Sequence, residues 1–214
     1  STFFLLTFLP ACRARPAAPA ESPWFVDRAE ETGLTFLHVN GMSGKFYYAE
    51  IIGPGAALFD YDNDGDLDAF LVQGRMLGPR EGKAPGGADE GGRLFRNNLG
   101  AGGTLTFTDV TGASGITAGG YGMGTATGDY DNDGCVDLFL TNLGPNQLWR
   151  NNCDGTFTDA SHVLGRTEAP QWSVSAAFLD FDRDGWLDLF VGNYLAYRGE
   201  ADMPCVSPSG RPAY

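Results

Sequence analysis

An all-β protein, built as blades of a β-propeller, is what this sequence predicts, and three observations carry the prediction. The motif DxDxDGxxD occurs three times, as Asp60 to Asp68, Asp129 to Asp137 and Asp180 to Asp188, each followed at once by a short apolar run. Short phrases around the motif recur in the same order. Thirty-one glycines among 214 residues fit many tight turns between short strands.

Residues 1–23 read as an export segment and tether. Thr2 to Leu9 is apolar, too short to span a bilayer, and resembles the middle of a secretory signal. Leu9-Pro10-Ala11-Cys12 looks like a bacterial lipobox, which would make Cys12 a lipidated membrane attachment; the alternative is cleavage elsewhere. Arg13 to Ala20 has the Pro/Ala-rich composition of a tether. The expected location is therefore secreted or at the cell surface. The start without methionine and the polar, Pro-rich end at Tyr214 lead us to expect a fragment, with the domain of residues 24–214 incomplete at its C-terminus.

Repetition begins at Trp24. The phrase Trp24-Phe25-Val26-Asp27 with Gly33-Leu34 recurs as Phe107 to Val110 with Gly115-Ile116, and as Phe157 to Ala160 with Gly165. Leu94 to Asn98 recurs as Leu148 to Asn152, and the small residues Gly55-Ala56-Ala57 recur as Gly124-Thr125-Ala126 and Ser175-Ala176-Ala177. Asp129 and Asp180 are 51 residues apart and Asp60 and Asp129 are 69 apart, the excess lying in a Gly/Pro-rich insert at about residues 75–92. A period near 50 with several short strands per unit suits propeller blades, because one small sheet cannot bury both faces until neighbours stack on it. The small residues then belong on inner strands around an axis. The continuous apolar run after each acidic loop belongs between blades, covered on both sides.

The acidic loops are expected to bind metal. Carboxylates at alternate positions repel one another unless a cation offsets them, and hard oxygen ligands in a flexible loop favour calcium over magnesium or zinc. Side-chain ligands are assigned to Asp60, Asp62, Asp64 and Asp68, to Asp129, Asp131, Asp133 and Asp137, and to Asp180, Asp182, Asp184 and Asp188, one Ca2+ per loop. The seventh positions, Asp66, Cys135 and Trp186, differ freely, as expected if only their backbone carbonyls are used. Gly65, Gly134 and Gly185 stand where the chain must turn sharply. An EF-hand is excluded: it needs a Glu at the twelfth position and flanking helices, whereas Leu71, Leu140 and Val191 stand there and the flanks read as strands. A plain solvated turn explains one such loop better than three with the same four carboxylates.

Charge and cysteines add bounds. The formal net charge is −13, and 13 of the 27 acidic residues lie in the three loops, so bound calcium would remove much of the imbalance. An acidic chain with no basic cluster argues against nucleic acid. Pairing Cys135–Thr141 with Gln147–Asn152 about a midpoint at residue 144 would place Cys135 and Cys153 opposite one another in a hairpin, Cα atoms about 4.5 Å apart, close enough for a disulfide. Cys205 is expected to be free or paired outside the chain.

The three loops look like those of FG-GAP (VCBS-type) repeats, the blades of integrin α-chain propellers. The longer run from Phe36 to Gly41 and then Gly53 to Asp68 is similar to the start of the ASPIC/UnbV, or cartilage acidic protein, family. The resemblance covers about Trp24 to Tyr214 and implies a secreted or surface-displayed propeller of seven or so blades, three or four of them here.

No catalytic constellation is evident. His38 in an aromatic-rich segment reads as structural, His162 as a loop residue, Glu50 as a solvated strand end, and the pairs Asn97-Asn98 and Asn151-Asn152 as turns. The leading expectation is a non-catalytic module, stiffened by calcium, that binds a protein or glycan. The alternatives are the propeller portion of a secreted enzyme acting on polysaccharide or lipid, its catalytic residues in further sequence or on top of the propeller, and a calcium switch.

Overall fold

The structure, a computed structural model, describes residues 24–42, 47–77, 91–165 and 171–196, together with 207, 209 and 210. The leader of residues 1–23 with Cys12, most of the insert, and Cys205 lie outside the described residues. Among those described, no helix is long and apolar enough to cross a membrane.

Each acidic loop reverses the chain, so the strands on its two sides pair. Phe59 lies opposite Asp68, Gly128 opposite Asp137, and Leu179 opposite Asp188. From these hairpins grow three antiparallel sheets. The first contains β1 (Ala56–Phe59), β2 (Asp68–Leu71), β3 (Arg93–Asn97) and β4 (Phe107–Asp109), hydrogen-bonded in chain order. The second repeats that order with β5 (Tyr121–Gly128), β6 (Asp137–Leu143), β7 (Gln147–Asn151) and β8 (Phe157–Asp159). The third consists of β9 (Ser173–Leu179) and β10 (Asp188–Asn193). Among the described residues the protein is thus nearly all-β, in stacked antiparallel sheets of short strands without a closed barrel, the arrangement of a propeller fragment.

The small residues before the loops occupy the strands where the sheets meet. β5 lies beside both β1 and β9. A Cβ on Gly55 would come within 2.9 Å of the Gly124 Cα, and one on Gly124 within 2.5 Å of the Val174 carbonyl oxygen. Backbone approach this close leaves no room for a side chain, which is why Gly stands there.

Apolar side chains fill the two gaps between sheets. Phe70, Leu94, Leu138, Leu140 and Trp149 form the core between the first and second sheets, while Phe139 and Leu148 pack with Phe178, Leu189 and Val191 between the second and third. β6 therefore sends alternate residues to opposite cores, and its continuous hydrophobicity follows. β10 departs from that expectation: Phe190 is 67% exposed, against 0% for Phe70 and 1% for Phe139 at equivalent positions. Among the described residues, no further sheet covers it.

Three other expectations need correction. β6 and β7 pair one residue out of the expected register, with Leu138 opposite Trp149, so neither cysteine belongs to a facing pair of the ladder. The Cys135–Cys153 disulfide still forms, across a Cα separation of 5.6 Å, because both residues lie beyond the strand ends. Glu50 is not solvated: it is 3% exposed, in a short 3-10 turn at Tyr48–Ile51. Asn97 and Asn151 are buried strand residues rather than turn residues. Trp24 to Asp27 forms no strand although its counterparts are β4 and β8, and its helical turn, Ala29–Thr32, ends at Gly33 as the turn after β4 ends at Gly115. His162 falls in a 3-10 turn, Ser161–Leu164.

Candidate metal centres

The three acidic loops share one backbone conformation. Their fourth residues, Asn63, Asn132 and Arg183, have φ of 58, 55 and 64°, and their glycines Gly65, Gly134 and Gly185 have φ of 90, 90 and 91°. The first carboxylate of each loop accepts two backbone N–H groups: Asp60 from Asp64 and Gly65 at 3.1 and 2.9 Å, Asp129 from Asp133 and Gly134 at 3.0 and 2.9 Å, Asp180 from Asp184 and Gly185 at 3.1 and 3.1 Å. The fifth accepts the N–H of the seventh residue, at 3.0 Å for Asp64, 3.0 Å for Asp133 and 2.8 Å for Asp184. The ninth reaches back to the second, Asp68 to Tyr61, Asp137 to Tyr130 and Asp188 to Phe181. Side chains thus wind the loop around its own carboxylates.

That winding gathers three acids in each loop. Carboxylate oxygens of Asp60, Asp62 and Asp68 lie within 4.8 Å of one another, as do those of Asp129, Asp131 and Asp137, and of Asp180, Asp182 and Asp188. The expected fourth side chains, Asp64, Asp133 and Asp184, fall outside these triplets. A further grouping of Asp133 with Cys135 and Cys153 is no metal site, since both sulfurs are in the disulfide.

The residues fit a hard cation. Asp62 Oδ1 and Asp131 Oδ1 are buried and have no hydrogen-bond partner. An anionic oxygen so placed is costly unless a cation meets it. Burial, together with the charges of Asp64 and Asp60, pushes the Asp62 carboxyl up. Burial also raises Asp68 and Asp137 to about 6, against the pull of two backbone N–H donors on each, Tyr61 and Asn97 for Asp68, Asn151 and Tyr130 for Asp137. The donor set is all oxygen, as calcium prefers.

Comparison with known proteins supports the resemblance read from the sequence. Residues 129–191 match the family model of the FG-GAP-like repeat. Over 93 residues, 43% of this chain, the sequence is 36% identical to Cartilage acidic protein 1 of Homo sapiens, 34% to that of Xenopus tropicalis and 33% to that of Mus musculus. The aligned stretch amounts to 14% of the length of each relative.

Within and around the matched stretch, several residues support the loops in ways the motif does not announce. Asn97 donates its backbone N–H to Asp68 and its side-chain amide to the Leu67 carbonyl, and Asn151 does the same to Asp137 and Val136. Asn63 Nδ2 reaches the Gly134 carbonyl at 3.4 Å and Asn132 Nδ2 the Gly185 carbonyl at 3.0 Å, so each loop touches the next. The seventh positions are not idle either: Asp66 accepts the Gly100 N–H, and Cys135 is bonded to Cys153. Two of the three thus tie their loop to the turn after the third strand of the sheet. The recurrence of Arg-Asn-Asn at the ends of β3 and β7 was the sequence signal for part of this. His38 lies in none of these clusters, and burial holds its imidazole below the usual value.

Proposed function

We propose that the chain is part of an extracellular β-propeller module whose FG-GAP-like loops each hold a calcium ion, and which binds a protein or glycan without catalysing a reaction. The observation that carries the calcium reading is the pair of buried, unpartnered oxygens, Asp62 Oδ1 and Asp131 Oδ1, each within a carboxylate triplet. A bound ion would supply positive charge to offset carboxylate repulsion. The chain itself does the rest: Asp60, Asp129 and Asp180 wind the loops, and Asp68 and Asp137 anchor them to the third strand of each sheet. Fixed loops hold the ends of β1 and β2, β5 and β6, and β9 and β10 in register, and the stiffened module offers its face to a partner.

The test is thermal melting of the full chain stripped of metal, then with calcium, then with magnesium. A rise of many degrees with calcium and little with magnesium is expected, and no rise would overturn the calcium reading. Asp131→Ala should remove part of that rise while altering the metal-free melt much less; equal losses in both conditions would reduce the loop to an acidic turn.

A further inference from the structure

We propose that Arg150 is a positioning residue for the second loop: its guanidinium bridges the Asp131 and Asp133 side chains and so holds Asp131 in the orientation that receives the cation. The inference rests on the calcium reading and adds a residue that the DxDxDGxxD motif does not contain.

Among the described residues this geometry belongs to the second loop. From β7, Arg150 Nε donates to Asp131 Oδ2 at 2.5 Å and a terminal nitrogen donates to Asp133 Oδ2 at 2.8 Å. One planar group therefore spans two carboxylates in a fixed geometry, which a freely rotating ammonium does not impose. Each carboxylate keeps its other oxygen for the loop. Asp133 Oδ1 accepts the Cys135 N–H at 3.0 Å, and Asp131 Oδ1 is buried without a hydrogen-bond partner. The clamp thus fixes Asp131 through one oxygen and leaves the second available. Partners of this kind orient metal ligands elsewhere, and their loss costs ten- to hundredfold in affinity.

The first loop shows what happens otherwise. Arg96 occupies the same place in its phrase, yet its guanidinium donates to Asn98 Oδ1 at 3.3 and 3.2 Å. There the seventh residue, Asp66, ties the loop to Gly100 through a carboxylate. In the second loop that position is Cys135, whose sulfur is spent in the disulfide, and the ionic tie comes from Arg150 instead.

A tethered cation could also compete with calcium, and that role has the opposite sign. Calorimetric titration of calcium into the full chain decides between them, with Asp131→Ala identifying the component that belongs to the second loop. Arg150→Gln is expected to weaken that component about tenfold. Arg150→Lys, which keeps the charge and loses the fork, should recover only part of it. An unchanged or tighter component in Arg150→Gln overturns the proposal, as does full affinity in Arg150→Lys. If Arg150→Gln fails to fold, judged by its metal-free melt, Arg150→Lys alone decides, by being weaker or not. Absence of calcium heat in the parent chain removes the calcium reading and this proposal with it. Calcium binding with an indifferent Arg150 removes only the proposal.

Discussion

Asn63 and Asn132 stand at the left-handed fourth position of their loops, a conformation that Asn tolerates better than most side chains, and both use the amide to reach the next loop. The third loop has Arg183 there, at φ 64°, with a longer side chain that gains nothing from the conformation. Arg183→Asn should therefore relieve roughly 1 kcal/mol of backbone strain. Chemical denaturation in calcium is the proper measurement, since a bound ion would keep loss of the arginine charge from confusing the comparison; a less stable variant would show that the arginine has a role the contacts do not reveal. At this scale the sequence was legible where a residue acts through its own type. Gly65, Gly134 and Gly185 take positive φ where their spacing put the sharp turn. It was opaque where a residue acts through a partner far along the chain: nothing in the sequence places Arg150 against Asp131, because that contact depends on the register between β6 and β7.

Strands became legible through repetition. The acidic loops marked both ends of each hairpin, so β1 with β2, β5 with β6, and β9 with β10 could be paired in advance. The β6–β7 register could not, since the bend between them has no comparable motif, and the symmetric midpoint at residue 144 was off by half a residue. Inner strands offer a direct check on the stacking. A methyl on Gly124 would meet the Val174 carbonyl oxygen at 2.5 Å and Thr141 Oγ1 at 2.9 Å, and the carbonyl cannot retreat without moving β9. Gly124→Ala should cost about 1–3 kcal/mol. Gly112→Ala, in a helical turn with no atom within 4 Å of the added carbon, should be neutral or slightly stabilising, because Ala is the better helix former. Equal stability of the two variants would mean that the inner strands do not approach as closely as described.

At the scale of the whole molecule, charge and burial set a dependence on pH. The chain carries a formal charge of −13, and three calcium ions would bring six positive charges to loops that hold 13 of its 27 acids. Within those loops Asp68 and Asp137 are wholly buried, and without metal their carboxyls are raised to about 6. The unfolded chain would release these protons near the ordinary Asp value of about 3.9, so between about 4 and 6 the folded, metal-free state binds more protons than the unfolded one. That contribution to stability is present below about pH 4 and is lost as the pH rises through about 6. Calcium would run the other way, because it requires the carboxylates ionised, and its binding would weaken as the pH falls through about 6. Both effects narrow the same quantity, the gap in melting temperature between calcium-loaded and metal-stripped chain. The gap should be widest at pH 7 or above and should shrink markedly by pH 5, measured on resin-stripped protein so that no chelator titrates alongside it. A gap independent of pH across that range would mean that Asp68 and Asp137 are ionised with or without metal, their two backbone donors apiece outweighing the cost of burial.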